Sequence, residues 1–210
     1  MNTPQNTSFW ETRPRDHDHK DWLYESKDWI EGYEKSVDHP HRFDIVQALY
    51  SFSFGSLLEI GCSVGPNLKR IWNEFPLAEL SGIDPNKDSV ERAKDYLPKG
   101  IKVTEGDVRA MPFTEVDIIL ADASLMYIEP NEIKAVMDKL ALCAKKGIII
   151  VERYSPSKTG EIVGGVWGRD YETLLKERGF KVDKIKITEE SWPHSPNWQK
   201  FGFIFVGRRV

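Results

Sequence analysis

Hydrophobic and polar positions change their period several times along this chain. Near the N-terminus, Trp22, Trp29, Tyr33 and Val37 recur at spacings of seven, four and four, which puts them on one helical face. Leu23 and Ile30 widen that stripe, while Asp21, Lys27, Asp28, Glu31 and Lys35 fill the opposite side. The helix should stop before His39-Pro40, because a residue preceding proline disfavours helical dihedrals. A second helix is expected from about Arg42 to Phe52, carrying Phe43, Val46, Leu49 and Tyr50, with Gly55 as punctuation.

From there, short runs of β-formers alternate with amphipathic stretches. The runs are SLLEIG, AELSGID, IKVTEGD, VDIILAD and KGIIIVERY; the stretches lie at 66–75, 87–97, 130–144 and 167–178. Such alternation predicts βαβ units and an α/β fold, a parallel sheet covered on both faces. The near-continuous apolar runs at 117–121 and 147–151 suit strands buried on both sides. After Gly179, two strands are expected, Phe180–Thr188 and Gln199–Arg208. Their connector, Glu189–Trp198, is too short for a crossover helix, so the pair should be an antiparallel hairpin.

Composition narrows the class. With 210 residues, 40% hydrophobic and 30% charged, the chain is globular and fits one domain with an extension. Two cysteines, Cys62 and Cys143, build no disulfide framework and point to a reducing compartment. No apolar run approaches the roughly 20 residues of a membrane span, and the N-terminus lacks a signal-peptide core, so a cytoplasmic protein is expected. The net charge of −4 resides entirely in residues 1–50, which hold six Lys/Arg and ten Asp/Glu; the remainder is balanced. Neither part shows the basic stripe of a nucleic-acid binder. The division suggests a helical cap over residues 1–54 and a ligand-binding domain over 55–210.

The chemistry concentrates at strand ends. LLEIGCSVGPNL, residues 57–68, is a glycine-bearing strand-to-helix turn in which Gly61 and Gly65 permit close backbone approach and Pro66 suits the first helical turn. A dinucleotide fingerprint would need glycines where Ser63 and Pro66 stand, which disfavours NAD. Asp84, ending the next run, is placed to take two ribose hydroxyls. Asp107 can accept from an adenine amino group, with Met111 flanking the ring, and Asp122 and Tyr127 lie above the same crevice.

The ordered set Glu59-Ile-Gly-Cys-Ser-Val-Gly65, Ile83-Asp84, Glu105-Gly-Asp107 and Ala121-Asp122 resembles class I S-adenosylmethionine-dependent methyltransferases over roughly residues 55–210. Ser63 departs from the usual glycine of that turn. The resemblance implies a three-layer Rossmann-like sandwich around a mostly parallel seven-stranded sheet with an antiparallel C-terminal hairpin strand. It implies S-adenosylmethionine as cofactor and S-adenosylhomocysteine as product. The implied cofactor-binding set is Glu59, Gly61, Cys62, Ser63 and Gly65 in the turn, Asp84 and Pro85 at the ribose, Asp107 and Val108 at the adenine, and Ala121 and Asp122 beside the methionine end.

Transfer from a sulfonium needs a general base only if the acceptor must lose a proton. Tyr127 and Glu152 are the catalytic candidates; Asp170, His39, His41 and His194 are weaker ones, His39 and His41 reading first as loop residues around Pro40. The HDH run at Asp16–His19 only superficially resembles metal-ligand spacing, and no metal is expected. Ala121-Asp122-Ala123-Ser124 stands where enzymes methylating exocyclic amino nitrogens often carry an Asn/Asp-Pro-Pro-aromatic motif, which disfavours that chemistry. Aromatic-rich segments at 9–50 and 164–198 suit a lid over a small, partly apolar acceptor. The alternatives are an RNA or protein methyltransferase and a non-catalytic cofactor-binding scaffold.

Overall fold

A computed structural model describes residues 7–13, 19–21, 24–26, 28–110, 112 and 114–210. Short helix α1 (Thr7–Glu11) leads to a two-stranded antiparallel hairpin of β1 (His19–Asp21) and β2 (Tyr24–Ser26), then to α2 (Trp29–Lys35), a 3-10 turn at Ser36–Asp38 and α3 (Pro40–Leu49). The alternating core follows: β3 (Ser56–Ile60), α4 (Pro66–Glu74), β4 (Glu79–Asp84), α5 (Lys87–Tyr96), β5 (Lys102–Glu105) and β6 (Val116–Asp122). Then come α6 (Ile133–Cys143), β7 (Ala144–Arg153), the small hairpin β8 (Glu161–Val163) and β9 (Val166–Gly168), α7 (Tyr171–Lys176), β10 (Phe180–Lys186), α8 (Pro196–Phe201) and β11 (Gly202–Arg209).

The main sheet has seven strands in the order β10-β11-β7-β6-β3-β4-β5. β3 pairs in parallel with β4 and β6, as do β4 with β5 and β6 with β7; β11 alone runs against its neighbours β7 and β10. Alternate residues feed opposite faces. Ile118 and Leu120 of β6 join Ile149 and Val151 of β7 under α3, α4 and α5, while Ile119, Ala121, Ile148 and Ile150 pack under α6 and α7. Burying each such side chain contributes roughly 1.5–3 kcal/mol, which makes the strand faces the main stabiliser of the sandwich.

The structure corrects several expected boundaries. The first helix does not reach back to Asp21, which lies in β1; Trp22, Leu23 and Lys27 lie outside the described residues. It begins at Trp29 because the Asp28 carboxylate caps it, accepting from the Ile30 amide at 2.9 Å. The second helix starts at Pro40, whose missing N–H is no loss at a first turn, and ends at Leu49. The stretch at 167–178 divides: Val166–Gly168 pairs back in the β8–β9 hairpin, and the helix starts after Asp170. The last strand begins at Gly202, because Pro196–Phe201 form α8.

Candidate functional site

Strand order reverses around β3, which has β4 on one side and β6 on the other. Open α/β sheets bind ligands beyond the carboxyl ends of the strands at such a switch. Here those ends line a cavity of about 380 Å³. Its floor is the turn after β3, with Gly61 at φ +70°, Ser63 at +50° and Gly65 at +84°. The amides of Gly61 and Cys62 both donate to the Ile83 carbonyl, at 2.8 and 3.0 Å, which ties the turn to β4. A Cβ on Gly61 would sit 2.5 Å from that of Ser124, so the backbone approaches the loop after β6 as only glycine allows. Buried Cys62 packs over Gly82, where a Cβ would meet its sulfur at 2.6 Å.

Asp84 ends β4 beneath this turn. Its two oxygens accept from the amides of Ser63 at 2.7 Å and Asn86 at 2.9 Å, and burial nonetheless pushes its carboxyl up to about 6. Asp107 follows β5; burial works against its charge, but hydrogen bonds from the Arg109 side chain and amide outweigh it and hold the carboxyl below its usual range. Arg109 also pairs with Glu11 of α1 at 3.2 Å, and the Asn86 side-chain amide donates to the Trp10 carbonyl at 2.8 Å. Helix α1 is thereby fastened over the Asp84–Asp107 side. The Trp10 ring lies 5.2 Å from that of Tyr127, and the buried Arg13 guanidinium stands 4.7 Å from the Trp10 ring centre and 4.8 Å from that of Trp29.

The opposite side holds a buried polar network. Asp122, at the end of β6, accepts from Asn67 at 2.9 Å and lies 2.9 Å from His41 Nε2 and 3.5 Å from Arg42. Asn67 also donates to Glu59 at 2.6 Å and accepts from Arg42. Burial resists the charge on Asp122, but His41, Arg42 and Asn67 together bring its carboxyl down to about 2. Burial raises Glu59 to about 8, the Asn67 bond opposing and the Asp122 charge assisting, so Glu59 is a neutral acid at pH 7. His41 Nδ1 sits 2.5 Å from His39 Nδ1. The His41 ring stacks on Trp192 at 4.1 Å and 21°, and Trp192 stacks on Trp198 at 4.1 Å and 10°. Arg153 continues this wall, 5.3 Å over Trp198, its Nη1 donating to the carbonyls of Val163 and Gly164 at 3.2 and 2.7 Å.

The structure therefore gathers most of the residues singled out in the sequence, in different settings. Gly61, Cys62, Ser63, Asp84, Pro85, Asp107, Val108 and Asp122 line the cavity together with Glu59. Tyr127 lines it too, its phenol pushed upward first by burial and then by Tyr33 and Glu152, so it remains a protonated donor. Glu152 is fully buried behind the loop after β6, where one oxygen accepts from the amides of Ser124 at 2.8 Å and Leu125 at 2.6 Å. That geometry gives it the loop to hold. Gly65, with φ +84°, caps α4, and Ala121 is buried within β6. Asp170 caps α7 and His194 lies exposed beside Glu189, both away from the cavity lining. Met111 and Asp16–Asp18 lie outside the described residues. Among the described residues, no three or more His, Cys, Asp and Glu side chains gather as a metal site.

Sequence reasoning undervalued His39 and His41 and passed over Arg42 and Asn67. A usable signal existed for the last two: each is a polar residue on the inward face of its helix, buried beside apolar neighbours such as Ile45 and Leu68. Such positions require partners.

The cavity also contains buried oxygens with no hydrogen-bond partner among the described residues: Glu59 Oε2, Asp122 Oδ1, Ser63 Oγ and Ser124 Oγ. Leaving one unsatisfied costs roughly 1–3 kcal/mol. An ionised aspartate among such oxygens fits a ligand bearing an ammonium and a sulfonium, and Asp84 at the second strand's end fits a ribose. S-adenosylmethionine has these groups.

Comparison with known proteins agrees. Residues 57–147 match the family described as "Methyltransferase domain". The chain is similar to trans-aconitate 2-methyltransferase of Enterobacter sp. (strain 638), 30% identical over 152 residues, 63% of this chain and 59% of the relative. It is similar to carboxy-S-adenosyl-L-methionine synthase of Salmonella arizonae, 22% identical over 164 residues, 69% of this chain and 66% of the relative. The match thus spans somewhat less than two thirds of either relative's length. The fold is shared with magnesium protoporphyrin IX methyltransferase from Synechocystis PCC 6803, solved with bound S-adenosylhomocysteine, at a TM-score of 0.66 and 13% identity over 97% of this chain and 95% of that one. The methyltransferase-domain match across the motif-bearing strands and this fold along nearly the whole length agree with the resemblance to class I S-adenosylmethionine-dependent methyltransferases read from the strand-end motifs.

Proposed function

We propose that this protein transfers a methyl group from S-adenosylmethionine to a small-molecule acceptor by direct in-line displacement. The observation that carries the proposal is the set of unsatisfied buried oxygens on Glu59, Asp122, Ser63 and Ser124 around one cavity with Asp84 at its edge. Bound there, the cofactor supplies an electrophilic methyl carbon, and no further activation of the donor is needed. Asp84 would take the ribose hydroxyls, Asp107 and the Val108 amide the adenine, and the turn from Gly61 to Gly65 with Glu59, Ala121 and Asp122 the methionine end. Residues 55–210 would form the cofactor domain and residues 1–54 its cap.

The protein's task is then to position the acceptor and exclude water. Trp10, Trp29, Tyr33, Tyr127, Trp192 and Trp198 supply an aromatic enclosure suited to a small, partly apolar molecule. No described helix is long and apolar enough to cross a membrane, and we place the reaction in the cytoplasm. Calorimetric titration with S-adenosylmethionine and S-adenosylhomocysteine tests the reading; micromolar binding of both is expected, and no binding by folded protein would refute it. Salt-sensitive binding of RNA, with tritium transfer from labelled cofactor into RNA, would move the acceptor to a nucleic acid.

A further inference from the structure

The cavity wall opposite Asp84 and Asp107 carries a cation that the fold leaves without a counter-ion. Among the described residues, two that line the cavity bear a guanidinium, Arg42 and Arg153. Arg42 is committed within the fold. Its Nε and Nη2 donate to the carbonyl and hydroxyl of Ser36 at 2.8 Å each, and its Nη1 donates to Asn67 and lies 3.5 Å from Asp122. Arg153 ends β7, and among the described residues no carboxylate pairs with it. Its neighbour Glu152 points to the other side of the strand, where one oxygen is taken by the amides of Ser124 and Leu125.

The guanidinium of Arg153 is held in a fixed place. Its Nη1 donates to the carbonyls of Val163 and Gly164, at the turn of the β8–β9 hairpin, and its plane lies 5.3 Å over the Trp198 ring. Gly164 has φ +60°, and a Cβ there would meet that Nη1 at 2.7 Å, so the turn closes onto the arginine as glycine allows. Nε is sealed and unpartnered. That leaves Nη2 as the nitrogen with neither a partner among the described residues nor a cover of protein. Burial disfavours the charge on this guanidinium, and Tyr127 and Glu152 only partly oppose it. A half-buried cation in an aromatic wall is costly unless something pairs with it. The wall itself is set, because Trp192 stacks with both His41 and Trp198 at 4.1 Å.

We propose that the methyl acceptor is a small carboxylic acid whose carboxylate is held by Arg153, with its apolar body against Trp192, Trp198 and Tyr127. This deepens the methyltransferase reading and rests on it. One guanidinium beside two carbonyl oxygens suits a single negative charge. A phosphate dianion would call for further donors, and no second unpaired cation lines the cavity among the described residues. An aromatic enclosure of about 380 Å³, shared with the cofactor, requires the body to be small and apolar. Arg153 thus faces the acceptor from the end of β7, while the donor lies toward Asp84 and Asp107. Because the same side chain braces the β8–β9 turn, acceptor binding and the position of that hairpin are linked.

Matched acids and amides test this by binding alone. Wild-type protein saturated with S-adenosylhomocysteine, which lacks the sulfonium charge, is titrated with benzoate against benzamide and with trans-cinnamate against cinnamamide, by calorimetry and ligand-observed NMR. At least one acid should bind about tenfold or more tightly than its amide, and added salt should shrink that preference. Arg153→Met should abolish the preference by weakening the acid alone, and Arg153→Lys should restore part of it. A merely bracing arginine would weaken acid and amide together. Amides equal to acids, no acid bound at millimolar concentration, phenyl phosphate bound more tightly than benzoate, or a preference that survives in Arg153→Met would each overturn the proposal. Should Arg153→Met fail to fold, the wild-type comparison of acid with amide decides. Calorimetry of S-adenosylhomocysteine separates the two claims: affinity within about twofold in both variants isolates the acceptor site, whereas no binding by the wild type defeats the methyltransferase reading itself.

Discussion

The two ends of the cavity are built by different means. The end at Asp84 and Asp107 is made largely of backbone, with the amides of Ser63, Asn86 and Arg109 fixing the carboxylates. The opposite end is made of side chains, His39, His41, Arg42, Asn67 and Asp122, joined across segments up to 81 residues apart and walled by Trp192. Backbone amides tolerate substitution at their own positions because any residue but proline supplies them. A side-chain network depends on each member. The first end should therefore fail only at a few positions, and the second at many.

The largest effect should come from the one side chain that the backbone end cannot replace. Asp84→Ala removes the acceptor of two amides and the proposed ribose contact, each charge-assisted bond being worth roughly 1.5–3 kcal/mol. A loss of about 100-fold or more in cofactor affinity is expected by calorimetry. Unchanged affinity would show that the ribose is held elsewhere. Next comes Gly61→Ala, where a Cβ meets Ser124 at 2.5 Å and φ is +70°. Left-handed strain of about 1–2 kcal/mol plus overpacking should weaken cofactor binding about tenfold and lower the melting temperature.

The border between the two ends is testable by pH. Burial raises Glu152 from 4.5 in the open chain to about 8 in the fold. Between those values the unfolded state ionises this group and the folded state does not. Its contribution is therefore full below about pH 4.5 and declines as pH rises through 8. Glu152→Gln cannot ionise and should leave the melting temperature near the wild type at pH 5 and raise it by a few degrees at pH 8.5. A constant offset across that range would mean that the carboxyl is already ionised. The smallest effect is assigned to Asp28→Ala, which uncaps α2: about 1 kcal/mol of stability, read as a drop of about 2–4 °C, with cofactor affinity unchanged.

The same contrast explains what the sequence disclosed. Period and strand-end chemistry are local, so β3 to β7 and the positions of Gly61, Asp84, Asp107 and Asp122 could be read directly. Side-chain convergence is not local. The two histidines resembled a loop because their partners lie in β6 and in the segment before α8, and no spacing within residues 39–41 encodes either contact. Glu152 had the address of a reacting group, yet its carboxylate faces the amides of Ser124 and Leu125, a direction set by the loop after β6 rather than by its strand. The periodic stripe through Trp29 and Tyr33 predicts a helix that extends back past Asp28, but the Asp28 cap starts the helix at Trp29, a local hydrogen bond outweighing the pattern.

The stack of His41 on Trp192 has a consequence for the order in which the protein is made. A ribosome releases residues 57–122, with the glycine turn, Asp84 and Asp107, long before it releases residue 192. During that interval His41 lacks the ring that fixes its plane, so the growing chain meets a time when the glycine turn and its two aspartates exist and the aromatic wall facing them does not. Closing the stack waits for the segment before α8, so this wall of the cavity is completed after its floor.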